Sequence, residues 1–182
     1  MKLLNVKLMA LSIMGVTAAL ALAASLRVAD AAPRDSSAAR LQRLEDREQI
    51  LELLTAYGAT LDRHDFAAFG RLFAEDALYV SGPAAPTRGR AAIQSMLENI
   101  ITSNPSHLPP PNFHLFFNPS IQIEGDRATA QSKGAYVAPD PGTNTAQMVF
   151  FVSYEDTLIR REGRWLFQQR VVRSGIPSSP AK

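Results

Sequence analysis

The chain has 182 residues, which suffices for one domain with a hydrophobic core that needs no covalent staples. It contains no cysteine, so disulfides and a lipid-modified N-terminal cysteine are excluded. The formal net charge is +2, and no extended Lys/Arg stripe interleaved with aromatics is present, which argues against a nucleic-acid partner.

The N-terminus has the three parts of a secretory leader. Lys2 and Lys7 give a positive start, an apolar run follows from Leu8 to Leu22, and small residues come next. The run is shorter than the ~20 residues that span a bilayer, so we expect cleavage rather than a retained anchor. The protein is then periplasmic or secreted, with no membrane association afterwards. The expected segments are a signal peptide (1–31), a flexible lead-in (32–39), a folded domain (40–175) and a flexible tail (176–182).

Apolar residues at helical spacing predict a long amphipathic helix from about Ala39 to Leu61. Its apolar stripe is expected to begin with Leu41 and Leu44, while Asp46 faces away. Asp65 is placed to cap a second, short helix that runs through Phe73.

A third helix is predicted over residues 90–103, and a Pro-rich loop over 103–112 follows it. The apolar period then changes to two, which predicts a meander of long strands; a short strand is expected near Ala77 to Val80. The segment "MVFFV" (148–152) is apolar on both faces, so we expect it to be covered on both sides by other elements or by a cavity. Helices followed by strands predict an α+β fold with helices on one face of a curved, mostly antiparallel sheet.

Four segments together resemble the SnoaL-like branch of the nuclear transport factor 2-like (NTF2-like) superfamily, across residues 40–173. They are "REQILELLTAYGATLDRHDFAAFGRLFAEDALYV", "GRAAI", "HLFFNPSIQIEGDRATA" and "YEDTLIRREGRWLFQQRVV". The resemblance implies a cystatin-like, cone-shaped barrel whose strongly curved sheet wraps around about three N-terminal helices and leaves a mostly apolar pocket. Relatives with this fold include scytalone dehydratase, bile acid 7-alpha dehydratase, ketosteroid isomerase and many non-catalytic binding domains.

The same resemblance implies a catalytic set of Tyr57, Asp62 and His114. They match the dehydratases' polarising tyrosine, the aspartate that pairs with the catalytic histidine, and that histidine. Two positions depart from the relatives. The second active-site histidine of scytalone dehydratase falls within "MVFFV", which contains none, and the general-base aspartate of ketosteroid isomerase falls at Ser81.

The residues themselves leave alternatives open. Tyr57 and Asp62 lie ~140° apart around an ideal helix and converge only if the helix loosens. A core tyrosine, a helix-ending aspartate and a structural histidine are the other interpretations. Strand alternation places His114, Phe116 and Asn118 on one face. The residues expected to contact a ligand are Tyr79, Phe116, Asn118, Met148 and Phe150.

The sequence has no Gly-rich phosphate loop and no GxSxG elbow, and its three histidines lack a metal-ligand spacing, so we predict no cofactor and no metal. The leading hypothesis is an exported protein that binds a small, largely apolar, oxygenated molecule, as a cofactor-independent dehydratase or isomerase. The alternative is a non-catalytic ligand-binding or dimerisation module of the same fold. A homodimer is expected.

Overall fold

A computed structural model describes residues 36–104 and 107–175. The predicted signal peptide and the tail of residues 176–182 lie outside the described residues. The chain divides into two units, residues 1–40 and 41–182. In the described part of the first unit, the hydroxyl of Ser36 accepts a hydrogen bond from the backbone amide of Ala39 at 3.2 Å. The sheet and the site described below lie within the second unit.

The helices follow the predicted order. They are α1 (Ser37–Asp62), α2 (Phe66–Gly70) and α3 (Arg90–Ser103). The side chain of Asp65 accepts a hydrogen bond from the amide of Ala68 at 2.9 Å, which confirms the predicted cap of α2. Helix α2 ends earlier than predicted, because Phe73 already belongs to the first strand. Helix α1 stays regular through Asp62, so the loosening that would bring Tyr57 and Asp62 together does not occur.

The strands form one six-stranded sheet in the order β2-β1-β6-β5-β4-β3. Their bounds are β1 (Phe73–Ser81), β2 (Thr87–Arg88), β3 (Phe113–Glu124), β4 (Arg127–Pro139), β5 (Ala146–Arg161) and β6 (Arg164–Ser174). Only the β1–β6 pairing is parallel among these neighbours. The predicted α+β class with N-terminal helices and a curved, mostly antiparallel sheet is confirmed.

An irregularity in β3 overturns the expected position of Asn118. The pairing with β4 shifts between Phe117 and Ser120, and Asn118 has a left-handed φ of 55°. A bulge interrupts the alternation of side chains between the two faces. Asn118 is therefore exposed and does not continue the face of His114 and Phe116.

A second irregularity, in the pairing of β4 with β5, overturns the expected position of Met148. Phe150 lies opposite Tyr136, whereas Met148 lies opposite Val137, so Val149 is the extra residue. Tyr136 and Val137 are adjacent in β4 and point to opposite faces of the sheet, and each partner in β5 points to the same face as the residue it pairs with. Met148 and Phe150 consequently lie on different faces, although they are two residues apart. The expectation that "MVFFV" is covered on both sides holds on the inner face, where Phe150 and Val152 line a cavity, and is wrong on the outer face, where Met148 is 58% exposed.

The buried stripe of α1 begins later than predicted. Leu41 and Leu44 are exposed, and burial starts at Asp46, which was expected to face solvent. Its carboxylate accepts a hydrogen bond from Trp165 Nε1 at 3.1 Å and pairs with Arg160. A buried carboxylate is tolerated because the end of the β5–β6 hairpin supplies these donors.

The core lies between the helices and the inner face of the sheet, with Phe69, Phe73 and Phe167 fully buried at its centre. None of the helices within residues 36–104 and 107–175 is long and apolar enough to cross a membrane.

Candidate active site

A cavity of about 370 Å³ opens between α1, α3 and the inner face of the sheet. Its volume is in the range of small-molecule sites. The tyrosines of the chain number four, and all of them line it: Tyr57, Tyr79, Tyr136 and Tyr154. The other polar lining residues are Ser81, Asn104 and His114, and apolar residues such as Leu61, Leu97, Ile101, Phe150 and Val152 complete the wall. The cavity is therefore largely apolar, with phenol hydroxyls and one imidazole as its main polar groups.

The strongest polar contact of this site joins Asp62 at the end of α1 to His114 near the start of β3. His114 Nδ1 lies 2.6 Å from Asp62 Oδ1, and the backbone amide of His114 donates to both carboxylate oxygens at 3.0 and 3.1 Å. An ionised carboxylate only accepts hydrogen bonds, so Nδ1 carries the proton and Nε2 is the unprotonated nitrogen of the neutral ring. Asp62 thus fixes both the tautomer and the backbone position of His114.

A glycine allows this pair to form. Gly58 lies on α1 one turn before Asp62, and a Cβ at this position would lie 2.7 Å from the Cβ of His114 and 3.2 Å from the ring of Phe116. Such a distance is too short for two carbon atoms, so only glycine lets β3 approach the helix this closely.

Tyr57 forms its hydrogen bond with a second tyrosine of the cavity wall. Its hydroxyl lies 2.9 Å from the hydroxyl of Tyr79, and both residues are buried. Within such a pair one hydroxyl donates to the other, which leaves one O–H for a third group. Tyr57 therefore shares the cavity with His114 without bonding to the Asp62–His114 pair.

Burial dominates the acidity of these phenols. It raises the pKa of Tyr57 well above the usual range, and the neighbouring Tyr79 adds to the effect. Burial likewise raises the pKa of Tyr79 to about 12 and raises that of Tyr154. The pKa of Tyr136 is raised first by burial and then by the charge of Asp62. The tyrosines are consequently protonated at neutral pH and serve as hydrogen-bond donors rather than as bases.

A buried ion pair lies next to the cavity wall. Arg170 of β6 donates to both oxygens of Asp156 on β5 at 2.8 Å, and both side chains are fully buried. The carbon of the guanidinium group lies 4.1 Å from the ring centroid of Tyr57 and 4.3 Å from that of Tyr154. The rings of two tyrosines in the cavity wall thus pack against a buried guanidinium group.

Of the residues predicted as site members, Tyr57, Tyr79, His114 and Phe150 line the cavity, and Asp62 lies directly behind His114. Phe116 packs against Tyr57 and Tyr154, with ring centroids 6.0 and 5.0 Å apart, as part of the supporting layer. Asn118 and Met148 are not among the lining residues.

Sequence reasoning missed several members of the wall. Tyr136, Tyr154 and Asn104 were not among the residues expected to contact a ligand, and Ser81 was noted only as a departure from a relative. The alternation of Tyr154 with Val152 and Phe150 was the available signal for one of them. No group of three or more His, Asp or Glu side chains in the described part of the chain is arranged to hold a metal ion.

The comparison with known families gives a clear match. The model of the SnoaL-like domain matches residues 42–171 of the 182. The chain belongs to the SnoaL-like domain family. The predicted family is thereby confirmed. This SnoaL-like domain is also 26% identical over 140 residues, 75% of this chain and 90% of the relative, to the uncharacterized protein Rv2910c of Mycobacterium tuberculosis strain H37Rv.

Solved structures agree with the family. An NTF2-like protein with a cystatin-like fold from Novosphingobium aromaticivorans is 26% identical with a TM-score of 0.68, over 82% of the SnoaL-like chain and 95% of its own. A protein named as a scytalone dehydratase from the same organism is 21% identical with a TM-score of 0.62, over 74% and 87%. ActVI-ORFA from Streptomyces coelicolor is 21% identical with a TM-score of 0.60, over 71% and 96%. The latter two likenesses bear on the fold alone.

Proposed function

We propose that this SnoaL-like protein binds a small, largely apolar, oxygenated molecule in the cavity and catalyses a cofactor-independent dehydration or isomerisation next to a carbonyl group. The observation that carries the proposal is the 2.6 Å contact between Asp62 and His114, because it orients an imidazole at the wall of a largely apolar cavity. A general base in such a place needs no metal to act near neutral pH.

The chemistry assigns one role to each polar group. His114 Nε2 takes a proton from the carbon next to the carbonyl, and the Asp62 carboxylate stabilises the imidazolium that forms. The free O–H of the Tyr57–Tyr79 pair donates to the carbonyl oxygen as it gains negative charge. In a dehydration the imidazolium then returns the proton to the departing hydroxyl, so water leaves and the base is regenerated.

A bicyclic β-hydroxy ketone is a suitable test substrate, and the neighbour named as a scytalone dehydratase motivates the choice. We would incubate the protein with 3-hydroxy-1-tetralone, whose loss of water gives 1-naphthol, and follow the product by its fluorescence. Turnover above the uncatalysed rate is expected for the wild type. Since general bases contribute about 10²–10⁴-fold, a comparable loss is expected for His114→Ala.

The controls separate chemistry from folding. Tyr57→Phe keeps the ring but removes one hydroxyl, so a smaller loss is expected, with a thermal unfolding midpoint measured alongside. Full turnover by the His114→Ala variant would overturn the catalytic assignment. Saturable binding of 1-tetralone without conversion of the hydroxylated ketone would instead support a binding module, which is the alternative function.

A second proposal concerns the outer face of the sheet. Phe113, Leu115 and Met148 are all about half exposed, and Phe113, Val137 and Met148 share one cross-strand row. We propose that this apolar strip is a homodimer interface. Light scattering after gel filtration should give the mass of a dimer for the wild type and of a monomer for Leu115→Ser; a monomeric wild type contradicts the proposal.

Export is likewise proposed, from the leader pattern of residues 1–31. Expression of the full chain in a Gram-negative host, followed by N-terminal sequencing of the periplasmic fraction, tests it. A full-length protein retained in the cytoplasm contradicts export.

A further inference from the structure

The buried pair of Arg170 and Asp156 has features that packing alone does not explain. The guanidinium carbon of Arg170 lies 4.1, 4.2 and 4.3 Å from the ring centroids of Tyr57, Phe167 and Tyr154. Its Nε and Nη2 face Asp156, whereas Nη1 is buried and has no hydrogen-bond partner among the described residues. The side of the cation away from Asp156 therefore meets aromatic rings instead of a second acceptor.

A gain in folding stability does not readily explain the buried pair of Arg170 and Asp156. Replacing a buried ion pair by apolar residues of similar volume is often neutral or stabilising, because the charges no longer lose their hydration. An unpaired buried N–H adds a further cost. The exposed pair Arg173–Glu155 on the same two strands joins them without burying any charge. The position of Arg170 against two cavity tyrosines therefore calls for a role in the site.

We propose that Arg170, held by Asp156, is a positioning residue that polarises Tyr57 and Tyr154 so that their hydroxyls become stronger donors to a ligand oxygen that gains negative charge. A cation over the face of a phenol ring draws electron density from the ring, and the effect is largest where water is excluded. The inference rests on the proposed function, because it assigns to the cavity a ligand with a carbonyl or phenol oxygen.

The balance of charges around the phenols supports this direction. Burial is the largest effect on the pKa of Tyr57 and Tyr154 and raises it, as does the electrostatic effect of each neighbouring phenol. For both residues the lowering effect of Arg170 is larger than the raising effect of Asp156. The ion pair as a whole thus acts on the two phenols as a net positive neighbour.

The test uses a probe in the ligand-free protein. 3,5-Difluorotyrosine placed at position 57 ionises at lower pH than tyrosine, and its ¹⁹F signal reports the fraction ionised during a pH titration. In the double variant Arg170→Met with Asp156→Leu, which stays neutral and apolar, the ionisation midpoint should rise by about one pH unit, a tenfold change in the ionisation constant. In Asp156→Asn the cation loses its counter-charge, so the midpoint should fall.

The matched control is Glu155→Leu with Arg173→Met, which makes the same chemical change on the exposed face of the same strands. Its midpoint should equal that of the wild type. A midpoint unchanged in both the double variant and Asp156→Asn would overturn the inference. If the double variant does not fold, the nearly isosteric Asp156→Asn decides alone, because a midpoint that is unchanged or raised contradicts the proposal.

The two proposals fail in distinguishable ways. Absence of 3-hydroxy-1-tetralone turnover together with the expected ¹⁹F shifts would remove the catalytic function and leave the role of Arg170 intact. Turnover together with unchanged ¹⁹F midpoints would leave the function standing and make Arg170 a structural residue.

Discussion

Replacing Gly58 by alanine tests whether close approach of α1 and β3 positions the Asp62–His114 pair. The new Cβ would lie 2.7 Å from the Cβ of His114, whereas ordinary contact begins at 3.4 Å, so helix or strand must move by several tenths of an ångström. The partner atom is fixed to the backbone of β3 and cannot rotate away. We expect His114 to be displaced relative to Asp62, whose 2.6 Å contact leaves little tolerance.

Two opposing effects set the change in stability. Alanine in a helix interior is favoured over glycine by about 1 kcal/mol, which stabilises the variant. Overpacking costs about 1–3 kcal/mol, and a contact with a backbone-anchored carbon is at the upper end of this range. The net expectation is a free energy of unfolding lowered by about 1–2 kcal/mol.

Urea unfolding of wild type and Gly58→Ala measures this difference, and the ¹H signal of the His114 Nδ1 proton reports the pair directly. The helix-propensity effect is measured separately at the exposed Glu48, by comparing Glu48→Ala with Glu48→Gly in the same helix. A Gly58→Ala variant as stable as wild type after this correction, with an unchanged Nδ1 proton signal, would refute the reasoning.

Further predictions follow from other contacts. In Asp62→Asn the amide can donate to Nδ1, so ¹⁵N NMR should show His114 protonated at Nε2 instead, with a stability loss of about 1.5–3 kcal/mol for the charge-assisted bond; unchanged ring shifts contradict this. Backbone amides of Thr143 and Gly142 hold the pKa of Asp140 below its usual range, so its charged form stabilises the fold above the unfolded-state pKa, and the benefit is lost as pH falls through the lower folded-state value. Asp140→Asn should therefore have a lower urea midpoint than wild type at neutral pH, and the gap should close as pH falls through the folded-state pKa; a gap that persists in acid argues against this origin.

The order of helices and strands was predictable because it depends on apolar periodicity, which can be read from each short segment of the sequence. The contact of Asp62 with His114 joins residues far apart in sequence, and only the resemblance to a family predicted that these two residues form a pair. Periodicity failed where the strands are irregular. A single bulge at Val149 places Met148 on the face opposite to the cavity. In β3 the left-handed residue Asn118 interrupts the alternation that was expected to continue from His114 and Phe116. Such bulges depend on the pairing of whole strands and leave no mark in the pattern of one segment.

The burial of Arg170 could not be predicted for a related reason. A single arginine in "FQQRVV" looks like an edge or surface residue, and its burial becomes evident only when β5 places Asp156 beside it. Asp46 was wrongly expected to face solvent for the same reason, because its partners come from the distant β5–β6 hairpin. Compensation between charges on different elements is a property of the assembled fold.

The gathering of every tyrosine around one cavity gives the protein a built-in optical reporter. Its single tryptophan, Trp165, lies elsewhere, bonded to Asp46. Tyrosine absorbance therefore reports the environment of the cavity, while tryptophan emission reports the surroundings of Trp165. Ligand binding in the cavity can be followed by tyrosine absorbance and unfolding of the domain by tryptophan emission. One unlabelled sample serves for both measurements.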